Sequence, residues 1–190
     1  MSDLPTRFRS PHLLDRSNTA LVVVDIQEKL IPVIDGGERV IVESKRLADA
    51  AEILGVPVLI SEQYPQGLGK TVGNFSPDAV AVVAEKKMFS CRECDSMFEF
   101  LQSSSVESVL LCGIEAHVCV AQTAFDLLAS GFRVHVAADA VGSRKAKDYD
   151  AAIARMQMHG IAITTAEAAI LELCETAAAA EFKQISALIK

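Results

Sequence analysis

A chain of 190 residues that is 51% hydrophobic and 23% charged can bury a sizeable core, and this composition argues against disorder. Its 25 acidic residues against 18 basic ones give a formal charge of −7, which speaks against nucleic acid or an anionic membrane as the main partner. No apolar run approaches the ~20 residues of a membrane helix, and the opening "MSDLPTRFRSPHLLDRS" lacks a secretory-signal pattern, so a cytoplasmic protein is expected.

Thr19 to Asp25, "TALVVVD", is a β-branched run of strand length, as in a strand buried on both faces. Gly36 and Gly37 break the chain before a helical pattern that runs to Leu54, with Val40, Leu47, Ala51 and Leu54 on one stripe. Gly55 stops that helix and "VPVLISE" reads as the second strand. Residues 63–78, with Pro, Gly and polar groups, read as a long loop over the sheet. "AVAVVAEKK" gives a third strand, Asp95 to Gln102 a short helix and "VESVLLCGI" a fourth strand. A helix follows from about His117 to Ala129, where Val118, Ala121, Phe125 and Leu128 repeat at helical spacing before Gly131. "FRVHVAADA" is the fifth strand, Asp148 to His159 a helix and "IAITT" the sixth strand. The tail from Ala166 reads as mostly helical, with an alanine-rich portion suited to packing on a partner subunit.

Strands alternating with helices imply right-handed crossovers. The expected architecture is a three-layer α/β/α sandwich with a six-stranded parallel sheet, Rossmann-like, in one domain spanning residues 1–190. In such a sheet the ligand crevice lies beyond the carboxyl ends of the strands. Asp25 follows the first strand, Lys86 the third, and Cys119 lies one turn beyond the fourth. Taken singly, each has a plain alternative: Asp25 as a helix cap, Lys86 as an exposed strand-end lysine in competition with Lys87, and Cys119 as a small buried hydrophobe. Position is what singles them out. In the first turn of a helix the unpaired amides and the macrodipole favour a thiolate, and a neighbouring lysine would favour it further. An adjacent carboxylate could accept the thiol proton, and the same amides could hold a developing oxyanion, a contribution of roughly 3–4 kcal/mol per donor.

Other motifs carry less. "QGLGKT" is no phosphate loop, because Tyr64 stands where the first glycine is required, and no GxGxxG follows the first strand. His12, His117, His135 and His159 lie far apart with no i, i+4 pair, so neither a metal nor a cofactor is expected. His135 alternates within a strand as a packed histidine, whereas His117, two residues before Cys119, either lines the crevice or faces solvent at the helix start. Five cysteines suggest no disulfide framework. Cys91 and Cys94 form a CxxC that is either two ordinary thiols beside a helix start or a redox pair.

Three segments, "VVVDIQEKL", "EKKMFS" and "LLCGIEAHVCVAQTAFDLLASGFRVHVAADAVGSR", together resemble the isochorismatase-like cysteine hydrolase family over about Ala20 to Thr165. "SEQYPQGLGKTV", "RMQMHGIAITTAEAAI" and "FKQISALIK" are similar to its isochorismatase domain-containing group. The resemblance implies a catalytic triad of Asp25, Lys86 (rather than Lys87) and Cys119. It also implies a cis peptide between Ile114 and Glu115 that aims the backbone N–H groups of Glu115 and Cys119 at one oxyanion. Gln27, Glu62, Gln63, Tyr64 and His117 would line the substrate pocket. The metal ligands that nicotinamidases of the family carry after strand two are replaced here by Ser61-Glu62-Gln63-Tyr64. Ala116 stands where relatives commonly have Thr, and Leu30 where D-x-Q-x-x-F ends in an aromatic. The implied activity is hydrolysis of a small C–N bonded substrate through an acyl-enzyme, in a homo-oligomer. Two alternatives remain: a vinyl ether hydrolase that uses Asp25 as acid and spares the cysteine, and a non-enzymatic module that senses metabolites or thiol oxidation.

Overall fold

The computed structural model describes residues 9–190; the first eight residues of the stretch inspected for a signal lie outside the described residues. Six strands, β1 (Thr19–Val24), β2 (Val58–Gln63), β3 (Val80–Lys86), β4 (Ser108–Ile114), β5 (Arg133–Gly142) and β6 (Ala162–Thr164), form one parallel sheet. Their order is β3-β2-β1-β4-β5-β6, so the chain winds outward in one direction from β1 and then in the other from β4. The helices are α1 (Gly37–Leu54), the single turn α2 (Pro65–Leu68), α3 (Asp95–Ser103), α4 (Ala121–Ala129), α5 (Ala146–Met158), α6 (Ala166–Cys174) and α7 (Phe182–Leu188). Among the described residues no helix is long and apolar enough to cross a membrane.

The period-2 alternation of a strand divides the core in two. Leu21, Val23, Val58, Ile60, Leu110 and Cys112 face α1, α6 and α7, where Leu47, Ile170, Leu173 and Ile185 are buried against them. Ala20, Val22, Leu59, Val109 and Leu111 face the other way, onto Met97 and Leu101 of α3, Ala124 and Leu127 of α4 and Met156 of α5. Both faces of the central strands are therefore dry, as their continuous apolar runs predict. The three-layer sandwich follows.

Several boundaries differ from the sequence reading. β4 begins at Ser108 rather than Val106, because the Glu107 and Ser108 amides both turn to the Asn18 carbonyl. Residues 63–78 contain α2, started by Pro65 after Tyr64 at φ 37°. A π-helical turn over Ala116–Val120 precedes α4. The extra residue shifts the phase of the helix, so the fully buried stripe is Ala121, Ala124 and Leu127, with Phe125 and Leu128 at its margin. The alanine-rich segment 177–180 is not helical. Glu175 at φ 66° ends α6 and the Thr176 hydroxyl takes the Ala178 amide, which closes a turn there instead. The tail packs on this chain's own α1 through Leu173 and Ile185.

The seam between β1 and β4 positions the site. At Gly113, φ is 124° and an added Cβ would lie 2.1 Å from the Val24 carbonyl oxygen. Only glycine allows the two strand ends to approach that closely. β1 and β4 are neighbours whose connections leave in opposite directions, which is the switch point where such sheets open a crevice.

Candidate active site

Asp25 is the first residue after β1, fully buried and held at φ 54°, an uncommon conformation for a side-chain-bearing residue and one that clusters at functional sites. Its amide donates to the Ser61 carbonyl at 3.1 Å. Its side chain has no water to turn to. The Ser61 hydroxyl donates to Oδ1 at 2.7 Å and the Lys86 ammonium donates to Oδ2 at 2.7 Å.

Lys86 reaches Asp25 from two strands away, across the end of β2. Period-2 alternation places it on the face of Ala84, inside, and turns Lys87 outward into solvent. Its ammonium also donates to Gln63 Oε1 at 2.7 Å and to the Phe89 carbonyl at 3.0 Å. Although burial favours the neutral amine, Asp25 and Cys119 hold Lys86 above the ordinary lysine range. For Asp25 burial dominates and pushes the carboxyl up, against the pull of Lys86 and Ser61. The result is a carboxylate whose proton affinity exceeds that of an exposed one.

Cys119 lies on the π turn between β4 and α4, buried beside the Asp25 carboxylate. The structure thus brings together Asp25, Lys86 and Cys119. The charge state of the sulfur reverses the sequence expectation. Burial, and then the negative charge of Asp25, push the thiol above its ordinary value, and Lys86 only partly offsets them. A helix terminus favours the thiolate by a modest amount, whereas removing a thiolate from water costs more. Burial and Asp25 both favour the protonated thiol over the thiolate. The implied cis peptide is also corrected: the Ile114–Glu115 bond is trans, as are all described peptide bonds. Backbone torsions reverse the chain instead, Gly113 at φ 124° and Glu115 at φ −32°, ψ 100°.

A model of the isochorismatase domain matches residues 19–168, which includes all three groups. The chain belongs to the isochorismatase family. It is 40% identical over 92% of its length to isochorismatase domain-containing protein 1 of Salmo salar, of whose length it spans 62%. A solved structure of the MAR1 ribonuclease of Caenorhabditis elegans is 40% identical, with a TM-score of 0.88 and coverage of 93% of this chain and 92% of that one. The Escherichia coli YcaC product, an octameric hydrolase of unknown specificity, shares the fold at 20% identity and a TM-score of 0.82, covering 90% of this chain and 86% of its own.

Around this isochorismatase-family site the other expected residues separate by strand face. Gln63 shares the Ser61 face and steadies Lys86, while its own amide donates to the Lys87 carbonyl at 2.7 Å. Glu62 points to the opposite face. There its Oε1 accepts from the Thr71 amide (2.7 Å) and hydroxyl (2.8 Å) and its Oε2 from Lys70 (3.0 Å). Gln27 is fully buried and bonds the backbone of Gln63 and Gly69. Glu62 and Gln27 therefore fasten the 64–72 loop rather than face the sulfur. Tyr64 is half-exposed and lines, with Lys86, Lys87 and Glu93, a cavity of about 510 Å³. His117 contacts Ser143 Oγ at 3.0 Å, and Glu115 pairs with Arg144 at 3.0 Å, so both tie the π turn to the segment joining β5 to α5. Among the described residues no three His, Cys, Asp or Glu side chains gather as metal ligands.

Ser61 escaped the sequence reading. Its signal was present: a small hydroxyl in a strand otherwise apolar from Val58 to Ile60, in register with Val24, one residue before Asp25.

Proposed function

We propose that this chain is a hydrolase of small amide-like, C–N bonded substrates that works through Cys119, Asp25 and Lys86. The observation that carries the reading is that one fully buried carboxylate meets an ammonium at 2.7 Å with the buried Cys119 thiol beside the pair. A protonated sulfur needs a base, and a carboxyl with raised proton affinity beside it is suited to that work. The Cys119 proton passes to Asp25 as the sulfur bonds the substrate carbonyl carbon. Lys86 stays charged and offsets the negative charge that moves from carboxylate to sulfur to oxygen. The developing oxyanion is assigned to the backbone N–H of Cys119 on the π turn, since the cis peptide that would aim the Glu115 N–H at the same point is absent. Collapse breaks the C–N bond, the leaving amine takes the proton from Asp25, and water then hydrolyses the thioester.

The raised proton affinity of Asp25 also favours a second reading, in which the protonated carboxyl acts as acid toward a vinyl ether and the sulfur is a bystander. A ribonuclease reading, drawn from the name of the C. elegans neighbour, meets a chain of charge −7 that offers no electrostatic basis for holding a phosphate backbone. Homo-oligomer formation is supported by the octameric YcaC neighbour and by exposed Val83, Met88 and Phe89 on and just after edge strand β3. The deciding experiment is ammonia release from a panel of small primary amides, with intact-mass detection of an acyl adduct. Turnover should fall at least about 10³-fold in Cys119→Ala. Full ammonia release by that variant would end the role of Cys119, turnover of a vinyl ether but of no amide would transfer the case to the second reading, and cleavage of RNA with no amide turnover would end both.

A further inference from the structure

The CxxC formed by Cys91 and Cys94 is left unused by the hydrolysis reading, and its geometry is that of a pair able to close. Residues 91–93 make a single 3-10 turn capped by Ser90, whose hydroxyl accepts from the Arg92 amide at 3.1 Å. The Cys94 amide donates to the Cys91 carbonyl at 2.8 Å, and Cys94 in turn starts α3. A four-residue turn closed in this way holds its end Cα atoms within about 7 Å, and disulfides span Cα separations of about 4.4–6.8 Å. Both side chains are buried in the same apolar cluster. The backbone is fixed from the far side, where the Cys91 amide donates to Thr123 Oγ1 of α4 at 3.0 Å. Solvent is one loop away: both thiols are buried, but residues 87–89 on one side and 92–93 between them are exposed.

We propose that Cys91 and Cys94 form a peroxide-sensitive dithiol that closes to a disulfide. The step balances with one peroxide as oxidant. The Cys91 sulfur bonds one peroxide oxygen, the O–O bond breaks, and the departing hydroxide is protonated to water, which leaves Cys91 as a sulfenic acid. The Cys94 sulfur then attacks Cys91, the S–O bond breaks, and a second water departs with the Cys94 proton. Two thiols lose two electrons in total, and one peroxide becomes two waters.

The order of attack follows from thiolate supply, because the thiolate is the species that peroxide oxidises. Cys94 beside it holds Cys91 below the ordinary thiol value despite its burial. Its proximity to Cys91, and burial after it, keep Cys94 protonated. Cys119 is held the opposite way by burial and by Asp25, and burial pushes Cys112 up to about 12. Peroxide thus meets Cys91 as the readiest sulfur of the three centres, with its resolving partner beside it. Disulfides of this kind inside reducing compartments are typically transient and redox-sensing.

The test uses the full reduced chain and no substrate, so its outcome is independent of the hydrolysis reading. Hydrogen peroxide is added in small excess and quenched, and the remaining thiols are alkylated after denaturation. Intact and peptide masses should show two of the five thiols lost together, with a mass lower by two hydrogens. The bridge should map to the peptide carrying Cys91 and Cys94, reopen with dithiothreitol, and leave Cys119 alkylated. Cys94→Ser should halt at a Cys91 sulfenic acid that dimedone captures, and Cys119→Ser should form the same bridge as the unaltered chain. A bridge that maps to other cysteines, loss of the bridge in Cys119→Ser, or five thiols surviving a large excess of peroxide would each overturn the proposal.

Discussion

The Asp25 carboxylate is solvated by the protein alone, so each partner sets its proton affinity by a measurable amount. Ser61 supplies one of the bonds that lower it. Hydrogen bonds to charged groups contribute about 1.5–3 kcal/mol, and one pH unit corresponds to about 1.4 kcal/mol. Ser61→Ala should therefore raise the Asp25 pKa and move the acid limb of kcat/KM upward by about one unit, since the base must be ionised to take the thiol proton. An unmoved limb would mean that Ser61 only fills space. The sulfur makes the complementary prediction. With its thiol held above the ordinary range, Cys119 should be alkylated by iodoacetamide slowly at pH 7, with a rate still climbing at pH 9. A plateau below pH 8 would show a resting thiolate. The direction of this shift was the least legible feature of the site: Asp25, Lys86 and Cys119 could be read from strand ends, but the depth of burial that decides the charge is a property of the packed molecule.

At the scale of elements, the ends of β2 and β3 show what alternation does to neighbouring residues. Ser61 and Gln63 face Asp25 and Lys86, Glu62 faces away, and one step along β3 separates buried Lys86 from exposed Lys87. The strands themselves were legible because both faces are apolar, yet that same continuity hides which face a polar residue takes at the strand end. The tail is mostly helical, as its composition suggests, but its alanine-rich segment is not: even the high helix propensity of alanine is a weak preference, and a single hydroxyl cap at Thr176 with Glu175 at φ 66° is enough to turn the chain. Glu62 gives the prediction at this scale. Burial would raise its pKa, but the Thr71 amide, Lys70 and the Thr71 hydroxyl outweigh it and hold the carboxyl below 4.5. The unfolded chain then binds the proton more readily than the folded one, so the stabilisation is complete above about pH 4.5 and is lost as pH falls through the lower, folded value. Glu62→Gln should cost about 1–3 kcal/mol in urea unfolding at pH 7. The gap between variant and parent should close as the measurement moves toward pH 3.

For the whole molecule the decisive contact is the seam where the two directions of winding meet. β1 delivers Asp25, β4 delivers the turn that carries Cys119, and the two meet in register at Val24 and Gly113. Any side chain at Gly113 must lodge against backbone, 2.1 Å from the Val24 oxygen and 2.6 Å from its nitrogen, and a strand in mid-sheet has nowhere to retreat. Gly131 offers a control, because it too has a positive φ, 92°, but nothing within 4 Å of an added Cβ. Gly131→Ala should lose only the cost of the backbone conformation, about 1–2 kcal/mol. Gly113→Ala pays that same strain and must also part β1 from β4, so its loss should exceed the control by at least about 2 kcal/mol, among the larger effects of single substitutions. Paired urea titrations of the two variants measure the difference directly. Parting the seam also withdraws Asp25 from Cys119, so any Gly113→Ala protein that still folds should lose hydrolysis while Gly131→Ala keeps it. Equal stability losses in the two variants would show that the sheet yields at its centre, and that the geometry of the site is set by the loops above it.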